Sequence, residues 1–316
     1  MGYTVIYAPS NYELARTYRQ FPDLVKAIII EGADATKCFE DPKCIKTPTH
    51  PLGIPLWKMF SMHFWRGQSH PLGNAWTLSP ENYPLFDAQN SAGNYYLGYS
   101  IERACREIPI TMPDVRPRQA YVLAKRLSYF YNGDFAWPNI SLVPPPELDI
   151  SLVGGIGDDT DHHSPIPEGI NNLGVLPKHQ FYEELGRSRA LVGIGLPFLS
   201  PSPYDALCMG VPFINPIAYW DEEHPDDRVR WSSQHDALKF ENPPYVYNVR
   251  SGDAQALWKA IHDALSNPID RYIPADMTMD ALKLRLGNLI EADWRGKAEA
   301  ILQQRNETGN SELFEL

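Results

Sequence analysis

Apolar and polar positions alternate in blocks along the chain, and the block lengths predict an α/β protein. Thr4 to Ala8 is β-branched and apolar and predicts a strand. Asn11 can cap the helix that follows, because Tyr12, Leu14, Tyr18 and Phe21 recur with helical spacing. Ala27 to Ile30 reads as a second buried strand. From Asp34 to Pro84 the chain is rich in Pro, Trp, Phe and His without a sustained period, which predicts irregular structure with short helices. A strand-like run, Tyr95 to Ile101, opens a better-patterned half. There Ala120, Leu123, Leu127 and Phe130 share one face of a predicted helix over Arg118 to Phe130. Leu148 to Val153, Leu173 to Leu176, Ala190 to Ile194, Pro212 to Ile214 and Val246 to Val249 predict short buried strands. Helices are predicted at His179 to Arg187, Ser202 to Met209 and Asp253 to Leu265, then at Asp280 to Ala292 and Trp294 to Gln304 before a polar tail. Strands alternating with helices imply a parallel, doubly wound, Rossmann-like sheet.

Length and charge narrow the class. At 316 residues the chain has room for two domains, and 43% apolar content suffices for real cores. A formal net charge of −11 without a basic stripe argues against duplex nucleic acid as the main partner. No window reaches the ~18 consecutive apolar residues of a membrane helix, and the first residues lack the order of a signal peptide. Of the four cysteines, Cys38 and Cys44 are close enough to pair in an oxidising compartment, whereas Cys105 and Cys208 are expected as buried thiols in helices. Asn139-Ile140-Ser141 and Asn306-Glu307-Thr308 are sequons that a secretory lumen would make glycan acceptors.

Two stretches carry candidate chemistry. Leu148 to Val153 runs into Gly154, Gly155, Ile156 and Gly157, a turn whose missing Cβ atoms let backbone approach a phosphate, although it lacks the dinucleotide fingerprint and taken alone reads first as a plain loop. The stronger signal is Leu191 to Pro216. A strand ends in Gly193 and Gly195, a Pro/Ser loop follows, and a short helix starts near Ser202, a possible cap, with Pro203 in its first turn. Free N–H groups there would face the carboxyl edge of the sheet, where α/β folds bind phosphorylated ligands. Asp205, in the first turn, could accept hydrogen bonds from two ribose hydroxyls or merely complement the helix dipole.

Other acidic runs read as solvated loops. Asp159-Thr160-Asp161 has the spacing of a metal-binding Asp-x-Asp but sits in a polar run with His162, His163 and Pro165. Asp221 to His224 with Asp226 and Asp227 is a second such stretch. Nucleophile elbows, Walker loops and zinc-protease motifs are missing, which removes support for hydrolase and kinase readings.

The run Gly193 to Pro216, together with Ser233-Gln234-His235 and with His70 to Pro80 before Tyr96 to Glu102, resembles glycosyltransferase family 18. The similarity keeps its order from about Gly2 to Trp294. The resemblance implies a GT-B fold: a C-terminal Rossmann-like domain over 91–290, a partial N-terminal Rossmann-like domain over 1–90, and a C-terminal helix and tail over 291–316. It implies a Golgi-lumenal enzyme that moves N-acetylglucosamine from UDP-GlcNAc to the 6-hydroxyl of a mannose in an N-glycan, inverting the anomeric centre without a metal or other cofactor. The donor would lie against Gly154, Gly155, Gly174, Val175, Leu176, Gly193, Gly195, Pro203, Asp205, Gln234 and His235. Asp205 stands where the family has a glutamate, and Gly174 to Leu176 where GT-B proteins present backbone to the base. Ser233-Gln234-His235 would either contact ligand or brace the following loop. The family's catalytic base, a glutamate, matches nothing in this sequence. The resemblance therefore leaves a second reading, a sugar-nucleotide or glycan-binding module without turnover.

Overall fold

The computed structural model describes residues 2–67, 70–86, 93–159, 164–309 and 312–316. The chain divides into two compact units, residues 1–100 with 279–316 and residues 101–278. The expected boundaries at 90 and 290 thus fall at 100 and 278, and residues 291–316 join the first unit rather than standing apart.

The first unit contains α1 (Asn11–Gln20), β1 (Ile28–Glu31), α2 (Gly32–Glu40), β2 (Met59–Met62), β3 (Thr77–Ser79), α3 (Tyr83–Phe86) and β4 (Tyr95–Tyr96). Its four strands form a parallel sheet in the order β1-β2-β3-β4. Ser10, not Asn11, caps α1: its hydroxyl accepts the Glu13 N–H at 3.2 Å. Cys38 and Cys44 are joined in a disulfide beside α2.

The second unit contains α4 (Glu102–Glu107), β5 (Gln119–Val122), β6 (Ser151–Gly154), β7 (Ile170–Asn172), α5 (Lys178–Arg187), β8 (Ala190–Val192), α6 (Ser202–Cys208), β9 (Phe213–Tyr219), β10 (Ser232–Ser233), β11 (Val246–Arg250) and α7 (Ala254–Ser266). The sheet runs β10-β9-β8-β5-β6-β7 with β11 also on β9, and every pairing is parallel except β10 with β9. Ala120, Val122, Leu152, Val192, Ile214 and Val249 pack with Leu257 and Ile261 of α7 to form its core. The chain then returns to the first unit as α8 (Met279–Glu291) and α9 (Trp294–Thr308). There Trp294 meets the rings of Phe60 and Trp76 at 4.9 and 5.0 Å. Two α/β units, each on a largely parallel sheet, agree with the GT-B architecture.

Several expectations fail for identifiable reasons. Arg118 to Phe130 is not a helix: all four residues of β5 are buried, and a strand covered on both faces shows no alternation to distinguish it from a buried helix. Only Leu127–Phe130 coils, as a 3-10 turn. Thr4 to Ala8 forms no strand, and Val5 and Tyr7 are exposed. β-propensity makes a strand only where a neighbouring edge completes its hydrogen bonds. Leu173 to Leu176 is a loop following β7, opened by Gly174 at φ +72°. The 34–84 region hides β2 and β3, too short to show a period. Cys105 and Cys208 are bonded to each other, because α4 and α6, remote in sequence, lie side by side. No described helix is long and apolar enough to cross a membrane.

Candidate functional site

A cleft of about 480 Å³ opens at the carboxyl ends of β5 and β6, lined by Tyr121, Leu123, Lys125, Gly155, Val175, Leu176, Lys178, Phe181, Tyr182, Pro201, Ser202 and Asp205 among others. The location follows from topology. In a parallel sheet the strands release their loops on one side, and β5, β6, β7 and α5 each end or begin there. Its volume lies within the range of small-molecule sites, ~300–1,000 Å³.

The walls divide by chemistry. Leu123 and Leu176 with the rings of Tyr121, Phe181 and Tyr182 give apolar walls to the slot, and Tyr121 and Phe181 meet edge-on at 5.4 Å. Lys125 and Lys178 also line it, and the Lys178 ammonium lies over the Tyr182 ring. Beside Lys178 and Tyr182 is Asp205, half-buried on α6. Burial raises its carboxyl above the usual range, while the hydrogen bond from Tyr182 and the charge of Lys178 oppose that rise. Tyr182 is pushed up to about 12 by burial and then by the Asp205 charge, so it stays a donor to the carboxylate. The Lys178 ammonium lies 5.3 Å from the Tyr182 ring centroid, which holds the three groups together. Burial pushes Tyr121 up to about 12, against the Gly155 N–H that donates to its oxygen at 3.0 Å.

Of the residues expected to hold ligand, the cleft gathers Gly155, Val175, Leu176 and Asp205. Gly154 is buried as the last residue of β6, and Gly174 shapes the loop above, its N–H donating to Asn172 Oδ1 at 2.9 Å. The rest form a brace outside it. Gln234 Oε1 accepts the Gly195 N–H at 2.9 Å, and its Nε2 donates to the Pro197 carbonyl at 3.3 Å, so it ties down the 195–197 loop. A Cβ at Gly193 would stand 2.4 Å from that same Oε1, and one at Gly195, where φ is +103°, 1.9 Å from the Asp134 carbonyl oxygen. These glycines are required by packing. His235 is wholly buried, and Pro203 is buried within α6. Ser202 does not cap α6: Pro201 holds that position, and the Ser202 N–H donates instead to Ser200 Oγ at 3.3 Å. With seven residues, α6 is also too short for its N-terminus to count as an anion site by itself.

Tyr121, Lys125, Lys178 and Tyr182 were missed in the sequence. Tyr121 and Lys125 fell in the stretch misread as helix. Lys178 and Tyr182 are four apart at the start of α5, directly after Leu176, and that spacing was the available signal.

The acidic runs prove occupied. Asp159 accepts from the Ser128 N–H at 2.9 Å and the Ser128 hydroxyl at 2.8 Å, and these bonds hold its carboxyl low; Thr160 to His163 lie outside the described residues. Asp221 pairs with Arg230 and His224, chiefly Arg230, which holds it at about 2. A hollow of about 510 Å³ beside Ala218 to Glu223 is lined by that single run of chain, whereas several elements converge on the cleft. Among the described residues no three His, Cys, Asp or Glu stand close enough to hold a metal ion.

The family model for glycosyltransferase family 18 matches residues 58–300. The chain belongs to glycosyltransferase family 18. Among curated proteins it is similar to human alpha-1,6-mannosylglycoprotein 6-beta-N-acetylglucosaminyltransferase A, 24% identical over 238 residues, covering 72% of this chain and 31% of the relative. Human enzyme B is 24% identical over 135 residues, covering 40% of this chain and 17% of the relative. The chain thus spans less than a third of the curated relatives it matches. Solved structures with some likeness include a glycosyltransferase of avilamycin A biosynthesis, at 11% identity and TM-score 0.41 over 98% of this chain and 81% of that one. Another is the kitacinnamycin glycotransferase, at 11% identity and TM-score 0.39 over 93% and 79%. The family 18 match contains both β2 and the whole cleft, so it draws on the two units alike.

Proposed function

We propose that the chain is an N-acetylglucosaminyltransferase that holds UDP-GlcNAc in the cleft of the second unit and transfers the sugar to the 6-hydroxyl of a mannose in an N-glycan. The observation that carries the reading is the pairing, in one cleft, of apolar, ring-lined walls with two lysines and a carboxylate. A nucleoside diphosphate has a complementary layout. Its base stacks on rings and aliphatic walls, its diphosphate meets Lys125 or Lys178, and its vicinal ribose hydroxyls donate to Asp205. Family membership and the names of the relatives support the choice of sugar, acceptor and linkage.

In this mechanism the acceptor oxygen attacks the anomeric carbon from the face opposite UDP, the bond to the diphosphate oxygen breaks, and the configuration inverts. Cations beside the diphosphate stabilise the charge that develops on the leaving group, so no metal ion is called for. No cleft residue is assigned the proton of the acceptor hydroxyl. Lumenal residence in the Golgi is part of the same proposal, and the two disulfides, which persist in oxidising compartments, support it.

Titration calorimetry with UDP tests the cleft. The expected result is saturable binding that Asp205→Ala weakens about tenfold, the loss of one well-placed charged acceptor. Absence of heat at millimolar UDP would overturn the reading. Transfer from labelled UDP-GlcNAc to a biantennary N-glycan in the presence of a chelator tests the activity; UDP binding with no transfer would establish the binding-module reading instead.

A further inference from the structure

Asp205 reaches the cleft on α6, a helix of seven residues and so roughly 10 Å long. A rod this short has too few hydrogen bonds of its own to define its direction. All of its residues except Asp205 are buried, which keeps the helix on the sheet. Burial is non-directional, however, and does not fix how far the rod slides or tilts. Directional bonds at its ends must do that.

The end remote from the cleft is held by such bonds. Cys208, the last residue, is bonded to Cys105 of α4, across a sequence separation of 103. Arg271 spans the same two elements: its guanidinium donates to the Cys208 carbonyl at 3.3 Å, to the Arg106 carbonyl at 3.0 Å and to the Ile108 carbonyl. The Tyr272 N–H donates to the Leu207 carbonyl at 2.9 Å. Arg116, buried just beyond, donates to the carbonyls of Met209 and Gly210 at 2.6 and 2.8 Å and to that of Ser188 at 3.1 Å. The carbonyls a helix ordinarily leaves open at its C-terminus are thereby taken up by groups fixed elsewhere in the unit.

We propose that the Cys105–Cys208 bond and Arg271 form a positioning clamp for Asp205. By tying α6 to α4 they set the axis of α6, and with it the place at which the carboxylate meets the Tyr182 hydroxyl and the hydroxyls of a bound ribose. Tyr182 belongs to α5, whose neighbouring Phe181 is fixed against Tyr121 of the sheet. The carboxylate and its donor therefore sit on separately anchored helices, and their alignment depends on both anchors. The clamp is a preorganising device: it removes motion that ligand binding would otherwise have to freeze. It rests on the nucleoside-diphosphate reading of the cleft.

The test is a double-mutant cycle on the full chain, with UDP as the probe and calorimetry as the readout. Cys105→Ala combined with Cys208→Ala removes the covalent link, and Arg271→Gln, at a partly exposed position, weakens the same connection with the disulfide intact. Each is combined with Asp205→Ala. The expected result is that each clamp variant binds UDP more weakly, roughly tenfold for the cysteine pair. Asp205→Ala then costs roughly tenfold in the intact protein but less than about twofold once the clamp is gone, because a misplaced carboxylate has little left to lose. A clamp that only stabilised the fold would leave the cost of Asp205→Ala unchanged, and equal cost in both backgrounds overturns the proposal. If the cysteine pair variant does not fold, the Arg271→Gln cycle decides by the same criterion. Failure of the unaltered protein to bind UDP sinks the reading of the cleft itself, whereas equal affinity with and without the clamp sinks only the clamp.

Discussion

Acid should destabilise the second unit through His235. The ring is 0% exposed and lies edge-on to Tyr204, with ring centroids 4.8 Å apart. Burial lowers its pKa from 6.5 to about 3, with the backbone at Ser200 opposing only in part. In the unfolded chain the ring recovers its ordinary value. Between about 6.5 and 3 the unfolded state therefore binds the extra proton, so stability falls as pH falls through that window and is fully present above it. At pH 5, about 1.5 units below the free value, the loss is about 2 kcal/mol at ~1.36 kcal/mol per unit. Urea unfolding at pH 7 and pH 5, followed by a probe confined to the second unit, measures it. His235→Gln should lower stability at pH 7 yet reduce the loss between the two pH values by about 2 kcal/mol. If the variant and the unaltered protein lose stability equally on acidification, the assignment of a neutral buried ring is wrong.

Other substitutions separate packing from binding. Gly195→Ala forces a side chain onto φ +103° and places its Cβ 1.9 Å from the Asp134 carbonyl oxygen. It should cost roughly 2–4 kcal/mol in thermal or chemical unfolding, and a neutral effect would refute the brace. Asp205→Asn removes a carboxylate whose burial raises its pKa, a group that destabilises the fold above its raised pKa. Its melting temperature should stay level or rise while UDP affinity falls; a fall in stability with affinity intact would reverse the argument. Gly155→Val would bring its Cβ within 2.8 Å of the Tyr121 hydroxyl and 3.0 Å of Leu176 Cγ, filling the slot. Circular dichroism should stay native while UDP binding is lost, and retained affinity would move the base elsewhere.

Much of the fold was legible because it rests on local periodicity. α5, α7, α8 and α9 lie within a residue or two of their predicted starts, since each buries one stripe of its surface and the stripe is written in the spacing of its apolar residues. β6, β8, β9 and β11 were marked by apolar runs between turn residues. β5 was not, because Ala120, Leu123, Leu127 and Phe130 recur at helical spacing and a strand buried on both faces offers no alternation to outweigh it. Of the residues expected to hold ligand within Gly193 to Pro216, only Asp205 lines the cleft, while Gly193 and Gly195 pack against Gln234 and the Asp134 carbonyl. Sequence order cannot tell a glycine that admits a ligand from one that admits a neighbouring Gln234.

What the sequence determined by itself, then, was membership of family 18, the α/β alternation and Asp205 at the start of a short helix. Only the tertiary structure decided that Tyr121, Lys125, Lys178 and Tyr182 join Asp205 in one cleft, and that Cys105 finds Cys208. The physical reason is the same for both. Parallel strands paired out of sequence order bring residues 121, 155, 176 and 205 to one sheet edge, and helices packed on that sheet bring residues 105 and 208 together. These contacts join residues far apart along the chain, and no local pattern encodes them.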